Sequence, residues 1–325
     1  MKSHRHGARL AALLASAALP GLLAAQPMPK GPAKPDTPEV TAIIDKAMAV
    51  AGDDYFVTTA KLQCGVGAST GLLQSSAAPE PLQIFDNLYF VGLNSVGAYA
   101  IKTSDGIILI DSLNSAEEAE KVLVPGLRKL GLDPAQIKYL VITHAHGDHY
   151  GGAQYLKEHF APHLIASEAD WKMMEEPGAK GPFSPPPARD MVAVDGQKLV
   201  LGDTTITLVL TPGHTPGTLS LIIPATDKGV PHVLAMQGGT GLPRTLEALK
   251  TYRASLDHFA AFAAAAGADI ELSNHPFVDD SLKRMQQHAV APSGPNPLII
   301  GQARYRRYEQ VIALCADAGI ARLQP

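Results

Sequence analysis

Cysteine is scarce in this chain. Its 325 residues include only Cys64 and Cys315, and neither belongs to a Cys-x-x-Cys pair. The absence of such pairs excludes a zinc knuckle. In an oxidising compartment the two thiols can join as a disulfide, but the sequence does not show that they meet. A disulfide and two free thiols therefore both stay open at this point.

An excess of basic residues is also missing. The chain has 27 Lys and Arg against 31 Asp and Glu, which gives a formal net charge of −4. A mildly acidic protein repels the negatively charged phosphate backbone of nucleic acids, so we expect no nucleic-acid partner. The apolar content of 46% is high enough for a sizeable core, in one large domain or two ordinary ones.

The apolar stretch at the N-terminus is too short and too interrupted for a membrane anchor. It covers residues 10–25, contains Pro20, and follows three basic residues. This pattern predicts a secretory signal peptide over residues 1–25, cleaved near Ala24 or Ala25. Loss of its three cations would take the formal net charge from −4 to −7. We expect a periplasmic protein without a membrane anchor after cleavage.

The composition then changes along the chain. Residues 26–81 are predicted to be a linker and N-terminal extension, with one helix at Thr37–Gly52. Within it, residues 53–81 show no firm period and are interpreted as an irregular flap near the active site. Residues 82–325 have the pattern of an α/β domain.

Strand and helix signals alternate through this domain in two similar halves, which predicts a four-layer αββα sandwich. The Pro-rich segment 177–190 is predicted to be a loop beside the active site. Strands are predicted at Leu88–Val91, Ala98–Thr103, Gly106–Ile110, Ile137–Thr143, His163–Ala166, Lys198–Leu201, Thr205–Leu210, Leu219–Ile223, His232–Ala235 and Ile270–Leu272. Helices are predicted at Ala116–Leu130, Gly152–His159, Glu168–Glu175, Leu246–Ala266, Ser281–Ala289 and Gln302–Ala318.

Four potential metal ligands follow one apolar strand. The segment Ile137–Gly152, IKYLVITHAHGDHYGG, places His144, His146, Asp148 and His149 within six residues. Alternation in an extended chain points the first three to one side and His149 toward a second position nearby. A single histidine at a strand end is most often a solvated loop residue, but this HxHxDH spacing predicts a metal site.

Two further histidines sit in comparable places. His214 lies in the loop VLTPGHTPGTLS just after strand Thr205–Leu210, where the pairs Pro212–Gly213 and Pro216–Gly217 restrict the backbone. His275 lies in ELSNHPF just after strand Ile270–Leu272. Alone, either would be interpreted as a surface histidine; beside the HxHxDH cluster, both become candidate ligands.

The HxHxDH motif, with its two outlying histidines, resembles the metallo-β-lactamase superfamily from about Leu82 to the C-terminus. The resemblance implies the same four-layer αββα fold and two zinc ions at the edge between its halves. It implies one zinc bound by His144, His146 and His214, and a second zinc bound by Asp148, His149 and His275.

Three protein ligands leave each zinc open for water or substrate, as in catalytic sites. Water between two zinc ions loses a proton near neutral pH, which gives a metal-bound hydroxide nucleophile. The three-histidine zinc is expected to polarise the carbonyl, and the other to take up charge on the leaving group. Asp148 is the candidate catalytic residue because its carboxylate can also orient the hydroxide.

Ligand types separate the branches of this superfamily. Members that resemble glyoxalase II or quorum lactonases carry a bridging Asp after the strand that follows the TPGHTPG loop, and subclasses B1 and B2 place a Cys ligand there. Residues 232–243, HVLAMQGGTGLP, contain neither. The chain is most similar to subclass B3, but it lacks the Ser usual near Gly238–Gly239 and the usual cysteine partner of Cys315.

These features predict a periplasmic dizinc hydrolase that opens the β-lactam ring. The alternative is a hydrolase of the same fold that acts on another cyclic ester or amide, such as an acyl-homoserine lactone. A third hypothesis is a non-catalytic, metal-stabilised binding protein. A diiron redox role is disfavoured because such relatives generally have Glu where this motif has His146.

Overall fold

The computed structural model describes residues 35–52, 54–66, 77–176 and 185–324. Asp36–Pro325 forms one compact unit. The predicted signal peptide, residues 1–25, lies outside the described residues. So do residues 177–184 of the predicted Pro-rich loop. Among the described helices, none combines the length and the apolar character of a membrane-spanning segment.

Two β-sheets form the centre of the protein. The first sheet contains β1 (Leu82–Gln83), β2 (Leu88–Gly92), β3 (Gly97–Thr103), β4 (Gly106–Ile110), β5 (Ile137–Val141), β6 (His163–Ser167) and β7 (Met191–Ala193). The second contains β8 (Gln197–Leu201), β9 (Thr204–Leu210), β10 (Leu219–Asp227), β11 (Val230–Met236) and β12 (Ile270–Glu271). In the first sheet the seven strands follow chain order, and strands β4 to β7 are parallel. In the second sheet the order is β12-β11-β10-β9-β8.

Helices cover the outer faces of both sheets. Their bounds are α1 Pro38–Ala51, α2 Phe56–Gln63, α3 Ala116–Glu118, α4 Val124–Lys129, α5 Gly147–Tyr150, α6 Ala153–Phe160, α7 Glu168–Glu175, α8 Leu246–Ala266, α9 Ser281–Val290 and α10 Gln302–Leu323. A π-helical turn, Ala119–Leu123, joins α3 to α4. The single helix predicted at Ala116–Leu130 is therefore divided, and Pro125, which has no N–H to donate, lies in the first turn of α4.

Three apolar layers hold the sheets and helices together. Strand β4 is buried on both faces: Ile108 and Ile110 pack between the two sheets, whereas Ile107 and Leu109 pack toward α4, α6 and α7. The outer face of the second sheet packs on α1, α2, α8 and α10. This arrangement is the predicted four-layer αββα sandwich.

The N-terminal helices belong to the compact unit. Helix α1 begins where expected, with the Thr37 hydroxyl accepting from the Val40 N–H at 3.3 Å. It packs against α10, with Val40 and Ala47 buried. The prediction that residues 53–81 are irregular is wrong for α2, which is helical. Only eight residues long, α2 is stabilised by burial of Phe56 and Ala60, which local periodicity does not reveal.

Cys64 and Cys315 form a disulfide between the end of α2 and α10, with a Cα–Cα distance of 4.4 Å. They are 251 residues apart in sequence. The pairing that the sequence left open is thereby decided, and α2 is attached covalently to the C-terminal helix.

Candidate metal centre

All six predicted ligands come together at one edge of the sandwich. His144, His146, Asp148 and His149 follow the carboxyl end of β5, His214 follows β9 and His275 follows β12. Parallel strands β4, β5 and β6 end at this same edge, so the loops after them converge. The ligand atoms form two clusters, each with its atoms within 4.8 Å of one another: His144, His146 and His214 in one, and Asp148, His149 and His275 in the other.

In the three-histidine cluster the imidazoles face each other edge to face. The Nε2 atoms of His144 and His214 are 3.2 Å apart, and the ring centroids of His146 and His214 are 4.7 Å apart. The Nδ1–H of His144 donates to the Gly238 carbonyl at 2.7 Å, and that of His214 donates to the Gly241 carbonyl at 2.6 Å. These bonds fix the tautomer and leave each Nε2 lone pair free to bind a cation.

The second cluster mixes a carboxylate with two imidazoles. An Asp148 oxygen lies 3.4 Å from the Nε2 of His149 and 3.7 Å from the Nε2 of His275. The Nδ1–H of His149 donates to an Asp111 oxygen at 2.7 Å, and that of His275 donates to the Ser95 carbonyl at 2.7 Å. The two Nε2 atoms, 3.2 Å apart, therefore face one another.

Burial sets the ionisation of most of these groups. It lowers the pKa of His144, His146 and His275, and it lowers the pKa of His214 to about 3. These imidazoles are therefore neutral at pH 7, which is the form that binds metal.

The Asp148–His149 pair behaves differently from the other ligands. Burial opposes charge on both groups, but the carboxylates of Asp148 and Asp111 raise the pKa of His149 to about 10. Burial likewise opposes ionisation of Asp148, yet His149 holds the pKa of that carboxyl well below its usual range. Without metal, a proton on His149 therefore balances the Asp148 charge.

The donor set fits two divalent ions. In the three-histidine cluster the Nε2 atoms of the neutral His144 and His214 are 3.2 Å apart, and their lone pairs repel unless a cation lies between them. In the second cluster the proton on His149, or a cation that replaces it, separates the Nε2 atoms of His149 and His275, which are also 3.2 Å apart. Three donors per cluster, all imidazole nitrogens or carboxylate oxygens, match the ligands and the open position of catalytic zinc. Zinc is the metal that this chemistry favours, and iron and manganese also accept such ligands.

Asp111 is a functional residue that the sequence did not single out. It follows β4, next to the ligand-bearing β5, and it is fully buried. Its carboxylate accepts from the Thr143 N–H and hydroxyl, both at 2.8 Å, as well as from His149. An acidic residue at the end of the apolar run Ile107–Ile110 is the signal that could have revealed it.

Asp170 joins two of the ligand loops. Located on α7, it accepts from the Ala145 N–H at 3.0 Å, the Thr215 hydroxyl at 2.8 Å and the Gly217 N–H at 2.8 Å. Burial raises the pKa of Asp170 to about 6, although these hydrogen bonds oppose the rise. Through Ala145 and Thr215 this one side chain fixes the loops that carry His144, His146 and His214.

A cavity of about 460 Å³ opens beside both clusters. His146, Asp148, His214 and His275 line its floor. Its walls come from Thr240, Gly241, Leu242, Phe277 and Val278, and from Lys61, Leu62, Gln63, Gly65 and Val66 on and after α2. The predicted placement of the segment before Leu82 beside the active site is confirmed for these residues of α2.

Comparison with known proteins agrees with this geometry. Residues 91–227 match the family model of the metallo-beta-lactamase superfamily. The N-acyl homoserine lactonase AttM of Agrobacterium fabrum is 33% identical over 115 residues, which cover 31% of this chain and 41% of that protein. The chain thus spans about two-fifths of the length of that curated relative.

Two solved structures are similar over most of their length. The subclass B3 metallo-beta-lactamase BJP-1 of Bradyrhizobium japonicum is 29% identical with a TM-score of 0.61, covering 76% of this chain and 94% of that one. MEM-A1, a subclass B3 enzyme from a soil metagenome library, is 25% identical with a TM-score of 0.62, covering 75% and 97%. The chain therefore contains a metallo-β-lactamase superfamily domain, matched over residues 91–227, and the solved structures it resembles include subclass B3 enzymes.

Proposed function

We propose that the protein is a periplasmic dizinc hydrolase that opens the β-lactam ring. The observation that carries this proposal is the pair of three-residue clusters facing one cavity, each with its ligand atoms within 4.8 Å of one another. The similarity to subclass B3 enzymes supports the β-lactam as the substrate class.

The residues of the two clusters have distinct tasks. His144, His146 and His214 would hold one zinc ion, and Asp148, His149 and His275 the other. Bound zinc would supply an activated water at neutral pH and would polarise the amide carbonyl. The Asp148 side chain is 25% exposed, so a carboxylate oxygen can accept a hydrogen bond from the attacking water and orient it.

The runner-up is hydrolysis of an uncharged lactone, such as an acyl-homoserine lactone. The partial match to AttM favours it. The loop after β11 disfavours it, because residues 237–241 are Gln-Gly-Gly-Thr-Gly and contain no bridging carboxylate. Within this loop the carbonyls of Gly238 and Gly241 accept hydrogen bonds from the ligands His144 and His214.

A substrate panel tests the proposal. The zinc-loaded protein is assayed with a penicillin, a cephalosporin, a carbapenem and an acyl-homoserine lactone, and we expect the highest kcat/KM for a β-lactam. His146→Ala should lower it by at least about 100-fold because a metal ligand is lost. His159→Ala is the control, since His159 is exposed on α6. Equal rates for parent and His146→Ala would overturn the assigned site.

The same assays separate an enzyme from a metal-stabilised binding protein. An enzyme loses turnover in chelator and regains it with zinc, whereas a binding protein shows zinc-dependent melting without turnover of any substrate in the panel.

Export is tested by fractionating cells that express the full chain or a chain without residues 1–25. The Cys64–Cys315 disulfide supports an oxidising compartment.

A further inference from the structure

The cavity that the metal clusters line also contains a cation. Lys61 lies near the C-terminal end of α2, before the segment that matches the family. Among the described residues that line the cavity, Lys61 is the one side chain of Lys or Arg type. The other wall residues include Leu62, Val66 and Leu242. These side chains are apolar, so they offer no charge that would compete with Lys61 for an anionic ligand.

The Lys61 amine is available to a ligand. Its side chain is exposed, and it makes no ion pair with any carboxylate in the part of the chain that the structure describes. Elsewhere, exposed lysines such as Lys121 and Lys129 do pair with nearby glutamates. A lysine left unpaired in the wall of a cavity offers a positive charge to whatever enters that cavity.

The helix that carries Lys61 is held firmly. The disulfide at Cys64 attaches it to α10, and the Arg322 guanidinium donates to the Cys64 carbonyl at 2.7 Å. The Thr59 hydroxyl donates to the Val278 carbonyl at 3.0 Å, three residues from the ligand His275. The attachment point of the lysine is therefore fixed relative to the metal ligands, as specific recognition requires.

A serine hydroxyl does not fit at the positions where subclass B3 usually has one. A Cβ at Gly238 would lie 1.7 Å from the Leu219 carbonyl oxygen, and a Cβ at Gly239 would lie 2.6 Å from the Cβ of His214. The loop therefore excludes side chains at these two positions, so a serine there does not supply the partner for an anionic group of the substrate.

We propose that Lys61 is a specificity-determining residue that binds the carboxylate of the substrate. The inference rests on the proposed function and deepens it. An ammonium in the cavity that the metal ligands line favours a cyclic amide that carries a carboxylate over an uncharged lactone of similar size. The N-terminal extension thereby supplies the charge recognition of this active site.

The test compares a penicillin with its methyl ester on the parent, Lys61→Ala, Lys61→Arg and the control Lys46→Ala, an exposed lysine on α1 outside the cavity. With zinc-loaded protein we expect Lys61→Ala to raise KM for the acid about tenfold, with little change in kcat and no change for the ester. Lys61→Arg should recover most of the loss, and Lys46→Ala should match the parent.

Calorimetric binding to the metal-free protein, where no turnover occurs, provides a second readout. The parent should bind the acid about tenfold more tightly than the ester, and Lys61→Ala should abolish that difference. Equal binding of acid and ester by the parent, or equal losses for both in Lys61→Ala, would overturn the role of Lys61. If the zinc-loaded parent hydrolyses neither compound, the proposed function fails, while the calorimetry still decides whether Lys61 binds the carboxylate.

Discussion

The Nδ1 atom of His149 lies 2.7 Å from a carboxylate oxygen of Asp111, and both side chains are fully buried. The Asp111 carboxylate also accepts two hydrogen bonds from Thr143, the residue before His144. The Asp111 carboxylate therefore orients His149, a ligand of the second cluster, directly. It also holds the backbone of Thr143, next to His144 of the first cluster. Buried partners of this kind fix ligand tautomers and strengthen metal binding.

Asp111→Asn should weaken zinc binding at the Asp148–His149–His275 cluster by about 10–100-fold. The backbone of Asp111 has a φ of 59°, which Asn adopts readily, so the variant should keep its fold. Zinc titration against a chelating dye measures the affinities of both sites. The control is Asp45→Asn, exposed on α1. Two zinc ions bound by Asp111→Asn as tightly as by the parent would contradict the role given to Asp111.

The six ligands were predictable because each follows the carboxyl end of a strand, and because their spacing is specific. The extended backbone predicted through Asp148 is wrong, since Asp148 and His149 lie on the one-turn helix α5. Sequence reasoning missed Asp111 and Asp170, which hold the ligands by contacts between distant segments. Asp170 on α7, for example, contacts Thr215, 45 residues away. No local pattern encodes such a contact.

The central strands were equally predictable, since runs such as Gly106–Ile110 are apolar at nearly every position. Helix α2 was not, because its short sequence forms a helix only when Phe56 and Ala60 are buried against α10. The disulfide had to stay open for the same reason, since the proximity of Cys64 to Cys315 depends on how α2 packs.

Asp279 should prove essential for the loop that carries His275. Its two carboxylate oxygens accept from the N–H of Ser273 at 2.7 Å and of Ser281 at 2.9 Å, and it is fully buried. Asp279→Ala leaves two buried donors unpaired and should lower the free energy of unfolding by about 2–5 kcal/mol. Asp279→Asn keeps one acceptor oxygen and should lose roughly half as much.

Urea unfolding of the metal-free proteins measures these losses, and zinc titration measures the effect on the His275 cluster. Lys283→Ala, exposed on the neighbouring helix α9, is the control. If Asp279→Ala and Asp279→Asn were as stable as this control, the two hydrogen bonds would not hold the loop.

The Cys64–Cys315 disulfide should contribute about 2–5 kcal/mol to the free energy of unfolding, because it closes a very long loop in the unfolded chain. The Cys64→Ser, Cys315→Ser double variant should lose this stability in urea titrations. A reductant should destabilise the parent to the same extent and leave the double variant unchanged. Equal urea midpoints for the oxidised parent and the double variant would contradict this expectation.

Glu309 should make the stability depend on pH. Burial raises the pKa of this α10 carboxyl to about 7, although its hydrogen bond with Tyr305 and the charge of Arg306 oppose the rise. The folded protein then holds the proton more tightly than the unfolded chain does, whose pKa is about 4.3. The contribution to stability is fully present below that value and is lost as the pH rises to 7.

After allowance for the solvent-exposed part of the side chain, this loss is roughly 1–2 kcal/mol. Glu309→Gln should remove it, so the free energy of unfolding of the variant should fall less than that of the parent between pH 4.5 and 8. Urea titrations in chelator across this range measure the difference between the two proteins, because the other titrating groups are common to both. Glu120→Gln, at an exposed position, should reproduce the parent slope. Parallel pH profiles for the parent and Glu309→Gln would show that the Glu309 carboxyl titrates alike in the folded and unfolded protein.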